Sequence, residues 1–400
     1  MTPRESFRPV AVLAAVRSPI GKFLGGLEPL TAREIAVPVV RAALVRAGVE
    51  PGEVGQLVFG NARQAGGGPN VARQIGHFAG LPQEVPACTL NMACASGLAA
   101  IEKAADAIRL GRVRVAVAGG TESMSRLPFL LPRMRRGHRL GHDTVVDGMY
   151  RDGFDCPLCG QVMGRTAETL AQEYGIGRQE QDEYALESQA RCRRATEAGL
   201  WSQEIVPLDV PQGPGREAVR IEADEHPRPD TTLDLLAKLP PVFKEGGTVH
   251  SGNSSGITDG AGAIVLASEE YVASRGMEPL AWVRESAQAG VDPARMGIGP
   301  IPAFHALVAA GGPPLSAYDL VELNEAFAAQ VLACLRELPV PRERLNVNGG
   351  AIALGHPIGA TGARIVVTLL AEMARRGAGE GLATLCVSGG LGMAVRFTRP

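Results

Sequence analysis

Two sulfurs, one imidazole and one amide stand out in this 400-residue sequence because their neighbours suit them to acyl-thioester chemistry. Cys94 ends the apolar lead-in of TLNMACASGLAAI (89–101), and a helical pattern begins at Gly97. A cysteine in front of a helix meets free N–H groups and the positive end of the helix dipole, which are expected to lower its pKa from a reference of about 8.5. The same amides can hold a developing oxyanion. His356 lies in LNVNGGAIALGHPIGATGARIVV (345–367), where small residues let backbone approach a ligand and Pro357 fixes the direction of the ring. Cys386 closes the apolar run of LATLCVSGG (382–390), a place expected to expose it at a sheet edge. A thiol and an imidazole supply nucleophile and base, and a second thiol near its reference pKa can move a carbon-bound proton. Asn324, in NEAF (324–327) at the start of a helix, can orient a water towards an oxyanion; its plainer reading is a helix N-cap. Taken singly, Cys94 and Cys386 also read as core residues, because free cysteine is among the most buried residue types. The other histidines, His77, His138, His142, His226, His250 and His305, fall in polar loops or on helix faces and read as structural.

Residues so distant in sequence need a fold that brings both ends of the chain together. VAVLAAV (10–16) reads as a buried strand closed by RSPIG. Thr31 and Glu34 are spaced as a capping box opening a helix to about Ala47, with Gly48 behind it and a kink expected at Pro38. QLVFGNA (56–62) reads as a second strand and turn, NVARQIGHFAG (70–80) as a second helix, and the Cys94 unit leads through a helix to Leu110 into a strand at 113–118. Near-continuous apolar strands alternating with helices of about 10 to 15 residues indicate βαβ units around a buried, mainly parallel sheet. From 124 to about 250 the pattern gives way to loops around helices near 164–174 and 178–198, too long for a plain connection and read as an inserted functional region. Alternation returns from about 280 through LAWVRESAQAG, a helix near 301–310, DLVELNEAFAAQVLACLREL and the His356 unit, ending in a strand at 382–387. The matching order of the halves puts Cys94 and His356 at equivalent strand-to-helix junctions, where open α/β sheets place ligands.

With 45% hydrophobic and 20% charged residues, the chain has an ordinary globular composition and can bury large cores. A formal net charge of −2 argues against a nucleic-acid or membrane-surface role, and the locally basic LPRMRRGHR (131–139) reads as a solvated loop. MTPRESFRPV lacks the apolar core of a secretory signal and no run of about 18 apolar residues occurs, so a cytoplasmic protein without a membrane span is expected. Cys88, Cys94, Cys156, Cys159, Cys192, Cys334 and Cys386 form an odd set without the spacing of a disulfide framework, which favours reduced thiols. The CPLC pair Cys156 and Cys159 offers only two of the four ligands of a structural zinc and reads as incidental; no metal site is expected. Neither GxxxxGK nor a GxGxxG following a strand is present, nor HExxH or GxSxG.

Nearly end to end, the sequence resembles the thiolase family, the acyl-CoA C-acyltransferases. The resemblance is carried by AVRSPIGKFLGGL, NxxCASG (91–97), GGTESMS (119–125), MGRTAE (163–168), HSGNSSGITDGA (250–261), NEAFA, GHPIGATGAR and Cys386. It implies an α/β fold with a duplicated five-layered α-β-α-β-α core and an inserted loop domain that binds coenzyme A. The N-terminal half would span 1–279, including the loop domain at about 124–256, and the C-terminal half 280–400. Residue by residue, the resemblance implies Cys94 as the nucleophile that becomes acylated and His356 as the base that activates it. Cys386 would exchange the proton on the incoming acyl-CoA or coenzyme A, and Asn324 would hold a water that helps His356 bind one thioester oxygen. The backbone N–H groups of Cys94 and Ser388 would form a second oxyanion hole. Met163, Arg228, Phe243, Ser255, Ala326 and Phe327 would line the coenzyme A pocket.

The implied reaction is reversible and ping-pong: thiolysis of a 3-ketoacyl-CoA by coenzyme A, or condensation of two acetyl-CoA to acetoacetyl-CoA. Coenzyme A is then a substrate, no other cofactor is required, and the protein is expected to be a homo-oligomer, dimer or tetramer. The sequence departs from the family pattern at Ser388, where many thiolases have the first glycine of CxGGG. It departs again at Val162, where some have a histidine over the pantetheine. The segment 152–161, containing CPLC, would touch the acyl end. Two rivals are a ketoacyl synthase-type condensing enzyme and a non-catalytic acyl-CoA-binding protein of the same fold. The thiol at Cys386 argues against the first, and the intact set of Cys94, His356, Asn324 and Cys386 against the second.

Overall fold

The structure is a computed structural model that describes residues 9–400; the polar lead-in MTPRESFR, where the N-terminal half was taken to begin, lies outside the described residues. In chain order, the first half contributes β1 (Val10–Arg17), α1 (Ala32–Ala47), β2 (Gln56–Gly60), α2 (Val71–Ala79), β3 (Ala87–Leu90), α3 (Ser96–Arg109) and β4 (Val115–Glu122). After the loop region, with α4 (Met163–Glu173) and α5 (Arg178–Glu197), β5 (Thr258–Ser268) returns to the same sheet. The second half follows as β6 (Ala281–Gly290), α6 (Pro300–Ala309), β7 (Leu320–Leu323), α7 (Ala328–Glu337), α8 (Ile358–Arg376), β8 (Glu380–Val387) and β9 (Leu391–Thr398).

Strand order makes the duplication visible. One half reads β3-β2-β4-β5-β1 and the other β7-β8-β9-β6, with Leu345 bridging β7 in parallel where β3 stands in the first half. The halves join where Val10–Val12 pairs antiparallel with Ala281–Val283. The mainly parallel sheet expected from sequence is instead mixed. Strands β2, β3 and β4 run parallel, as do β7 and β8, whereas β5 against β1 and β4, and β9 against β6 and β8, are antiparallel. Continuous apolar character reports burial on both faces, and helices cover both faces here whichever way a strand runs.

Alternate residues of a strand feed different cores. Leu57, Val117 and Val265 pack with Ile35, Val39 and Ile75 of α1 and α2 on the outside. Val58, Ala118, Leu385 and Val395 enclose Ile101 of α3 and Val366 and Leu369 of α8 between the two sheets. Val321 and Leu323 meet Phe304, Leu307 and Val331 of α6 and α7 on the far side. Helix, sheet, helix, sheet, helix is the resulting order of layers, and each such buried aliphatic side chain contributes about 1.5–3 kcal/mol. The Thr31–Glu34 capping box is present, and Gly48, at φ 62°, ends α1; Pro38 lies within this helix without ending it. In the central layer α3 and α8 cross at backbone contact. A side chain on Gly97 would meet Ala363 N at 2.8 Å and Gly359 O at 3.0 Å, and one on Gly362 would run into the backbone of Leu98.

Candidate active site

Cys94 precedes α3 and His356 precedes α8, so the close crossing of these two helices relates the positions of the two residues. Ala93 adopts φ 44°, a left-handed conformation that costs a non-glycine residue about 1–3 kcal/mol. Its neighbours hold it there: Ser96 Oγ donates to Ala93 O (2.7 Å) and accepts from Met92 N (2.9 Å), while Ala93 N donates to Asn91 Oδ1 (2.9 Å). Cys94 is thereby presented in a single helical turn, Ala93–Ala95, directly before α3. It packs against an apolar cluster of Ala62, Met124, Met149 and Ile358, the first residue of α8, which Phe154 also borders.

His356 is tied down from both sides. Its N–H donates to Gly256 O (3.0 Å), and the ring Nδ1 lies 2.6 Å from Thr361 Oγ1. The Thr361 hydroxyl gives its own proton to Pro357 O (3.0 Å), so it must accept from Nδ1–H. That fixes the tautomer and leaves the Nε2 lone pair buried without a hydrogen-bond partner. Burial, reinforced by the charges of Arg364 and Arg63, drives the imidazolium pKa down to about 3, so the ring is a neutral base.

The thiols depart from the sequence expectation. Burial pushes Cys94 up, not down; the N–H of Ser388, the charge of Arg63 and its own N–H pull the other way without prevailing, and Glu122 adds to the rise. Enclosure of the sulfur outweighs the helix terminus, a balance that only the assembled pocket decides. Cys386 is not at an exposed edge either: β8 lies between β7 and β9, and the residue is 1% exposed. Burial, then the neighbouring Cys94 and Cys334, raises its thiol well above the usual range. Ser388 begins the turn between β8 and β9, completed by Gly389 and Gly390 at φ 89° and 85°, where side chains are strained. Its backbone N–H favours the Cys94 thiolate, and serine in place of glycine keeps that N–H.

Asn324 is not an N-cap. It directly follows β7, donates its N–H to Thr384 O (3.0 Å) on β8, and precedes a helix that starts only at Ala328. Its side chain is fully buried, and neither Oδ1 nor Nδ2 has a partner among the described residues. A buried, unpaired amide is costly unless it serves a guest.

Two buried carboxylates missed in the sequence hold these pieces together. Glu122 accepts from Asn61 Nδ2 (2.6 Å), Ala62 N (3.1 Å), Arg63 N (3.1 Å) and Gly359 N (2.8 Å), stapling the end of β2 to the first turn of α8. Burial pushes it up to about 7, against the pull of Arg63 and the N–H groups. Glu325 accepts from Tyr184 Oη (2.9 Å), Ser188 Oγ (2.7 Å), Asn346 Nδ2 (3.1 Å) and Ile352 N (3.1 Å), locking NEAF to α5 and the His356 segment. Their only sequence signal is an acid inside an apolar run. His250 also differs from its reading as a polar-loop residue: it is fully buried, with Nε2–H donating to Asp182 Oδ1 (2.7 Å) and Nδ1 accepting from Gly252 N (3.0 Å).

Of the residues expected around coenzyme A, Met163, Phe243, Ala326 and Phe327 share one apolar cluster with Cys386, Cys156 and Cys159. Phe243 and Phe327 meet edge-on at 6.1 Å. Gly164 leaves the space that the Phe243 ring fills, and Ser255 borders the cluster by donating its N–H to Ala326 O (3.0 Å). Arg228 stands apart and exposed, its backbone N–H held by Gln189 Oε1 (2.9 Å). The basic stretch 131–139 is exposed throughout, as a solvated loop should be.

Residues 10–270 match the family described as Thiolase, N-terminal domain, and residues 277–399 match Thiolase, C-terminal domain. The chain belongs to the thiolase family. This thiolase is 48% identical over 391 residues to an acetyl-CoA acetyltransferase of Chromobacterium violaceum, an alignment covering 98% of this chain and 100% of that one. To one of Pseudomonas aeruginosa it is 47% identical over 390 residues, covering 98% and 99%. Its fold superposes on the crystal structure of the Bacillus anthracis acetyl-CoA acetyltransferase with a TM-score of 0.96, at 44% identity over 98% of this chain and 99% of that one. Human mitochondrial 3-ketoacyl-CoA thiolase, solved in complex with CoA, gives a TM-score of 0.94 at 40% identity over 98% of both chains. Among the described residues of this thiolase, no helix is long and apolar enough to cross a membrane.

Proposed function

We propose that this thiolase is an acyl-CoA C-acyltransferase working by a reversible ping-pong route through an acyl-Cys94 intermediate. The reading is supported by polar groups left buried without partners, Nε2 of His356 and the amide of Asn324, and by two neighbouring thiols, Cys94 and Cys386, the first of which is favoured as a thiolate by the N–H of Ser388. In thiolysis, Cys94 Sγ attacks the 3-keto carbon while His356 Nε2 takes its proton. Thiol and imidazole are both neutral at rest, so the proton moves as the new C–S bond forms and no free ion pair has to be held. The N–H groups of Cys94 and Ser388 receive the tetrahedral oxyanion. The C2–C3 bond then breaks, leaving an acetyl-CoA enolate whose oxygen is held by His356 and an Asn324-bound water, and Cys386 gives C2 its proton. Coenzyme A returns a proton to Cys386 and attacks the acyl-Cys94 carbonyl; the C–S bond to Cys94 breaks, the departing sulfur takes back the proton held on His356 Nε2, and the shortened acyl-CoA is released. The reverse sequence joins two acetyl-CoA into acetoacetyl-CoA.

Met163, Phe243, Ser255, Ala326 and Phe327 form the pantetheine wall in this reading, and the exposed Arg228 supplies a cation for the phosphates. The halves are 1–279, carrying the loop domain at about 124–256, and 280–400. The route needs no metal or redox cofactor, and it belongs to fatty acid metabolism in a homo-oligomer with reduced thiols in a cytoplasmic setting. Mixing the protein with acetoacetyl-CoA and coenzyme A and following the ketoacyl chromophore tests the activity. Mass spectrometry of protein trapped during turnover should place the acyl group on the Cys94 peptide. Binding without turnover, or an adduct on another cysteine, overturns the assignment.

A further inference from the structure

One cation near the reacting sulfur has no part in the route above. Arg63, just beyond β2, is only 8% exposed. Its Nη1 donates to Asp152 O (2.7 Å), its backbone N–H donates to Glu122 Oε1 (3.1 Å), and its Nε is buried without a partner. Gly153 is shaped around it: a Cβ there would overlap the guanidinium. Among the described residues no carboxylate comes within ion-pair distance of this side chain, although Glu122 feels its charge. A buried cation without a contact counter-ion is expensive and calls for an anion that the working site creates. Cys94 and His356 both feel the same charge, which favours a thiolate on one and neutrality on the other. The turn gripped by Arg63 leads into Phe154, which packs against the apolar cluster of Ala62, Met124, Met149 and Ile358 that Cys94 also borders.

Resting on the acyl-Cys94 reading, we propose that Arg63 is a positioning residue of the reaction. Clamped on the Asp152–Gly153 turn, it keeps a fixed positive charge beside Cys94 that favours the thiolate both when it attacks and when it leaves, and it holds the Phe154 wall against the nucleophile. Two variants separate charge from packing. Arg63→Gln keeps a donor for Asp152 O and removes the charge; Arg63→Lys keeps the charge and loses the fork. Alkylation of the full chain by iodoacetamide, read peptide by peptide across a pH series, uses the other partly buried thiols, Cys88 and Cys159, as internal references. In Arg63→Gln, Cys94 should react more slowly on the order of tenfold near neutral pH, the effect of removing one nearby opposite charge, with its profile moved to higher pH. Arg63→Lys should react close to wild type. A folded Arg63→Gln with an unmoved Cys94 profile, or an equal shift in both variants, overturns the proposal. Should Arg63→Gln fail to fold, Arg63→Met with the same readout takes its place, and loss of folding in both with wild-type behaviour in Arg63→Lys rejects a role beyond architecture. Because alkylation is read without turnover, this outcome is independent of whether the acyl group is found on Cys94.

Discussion

The tautomer of His356 hangs on a single hydroxyl. Thr361 Oγ1 gives its proton to Pro357 O and accepts Nδ1–H at 2.6 Å, and so keeps the Nε2 lone pair free. Thr361→Val preserves shape and removes the acceptor. Nδ1–H is then buried without a partner, at a cost of about 1–3 kcal/mol. Without that acceptor the Nδ1–H tautomer loses its advantage over the Nε2–H tautomer, which carries the proton on the wrong atom for a base. The same 1–3 kcal/mol therefore weights the population against the productive tautomer and lowers kcat by about fivefold to about 150-fold, at roughly 1.36 kcal/mol per tenfold.

Thiolysis of acetoacetyl-CoA measures the loss, with a thermal melt on each variant as the control for folding. Thr361→Ser restores the acceptor and should recover most of the rate, whereas packing alone would leave serine the worse substitute, since it lacks the methyl. A folded Thr361→Val with kcat within twofold of wild type would falsify the argument, as would a serine variant no better than valine.

Three further perturbations probe other parts of the site. Cys386→Ala should still form acyl-Cys94 from a simple acyl-CoA yet lose condensation by about 10²-fold or more, as expected for removing a proton-transfer group; mass spectrometry and condensation kinetics read the two halves separately, and failed acylation would contradict the division of labour. His356 titrates at about 3 when folded against 6.5 when unfolded, so the unfolded chain takes up the proton first as pH falls and stability drops between those values. His356→Asn should flatten that part of the melting-temperature profile, and an unchanged slope would show that the ring is not held neutral. Gly164→Ala pushes the Phe243 ring off the first turn of α4. It should raise KM for coenzyme A on the order of tenfold, worth about 1.4 kcal/mol, with little change in acylation of Cys94; an unmoved KM would remove Phe243 from the pocket.

Alternation of apolar strands with amphipathic helices was legible because it depends on which faces are buried, and burial leaves a local trace in residue type. Strand direction leaves none: β5 differs from a parallel strand only in pairing antiparallel with β1 and β4, and nothing inside TDGAGAIVLAS specifies that. The position of Cys94 before α3 was equally legible, whereas the sign of its pKa shift was not, since the helix terminus is local and the burial comes from a cluster that includes Ala62, Met149 and Ile358, from distant parts of the chain. Glu122 shows the same division, as an acid in an apolar run whose decisive partner, Gly359 N, lies 237 residues away. The small residues of GHPIGATG have a fuller reason than letting backbone approach a ligand. Gly359 itself lies against Thr121 O, Glu122 and Ala62 N, while Gly362 receives Leu98 of α3 at backbone contact and Gly97 answers from the other half against Gly359 O and Ala363 N. That contact fixes how far apart the two helix starts can be. A methyl group at Gly97 or Gly362 would force the helices apart, and because Cys94 and His356 lie in the residues leading into them, it would shift those two residues relative to one another before it disturbed either core.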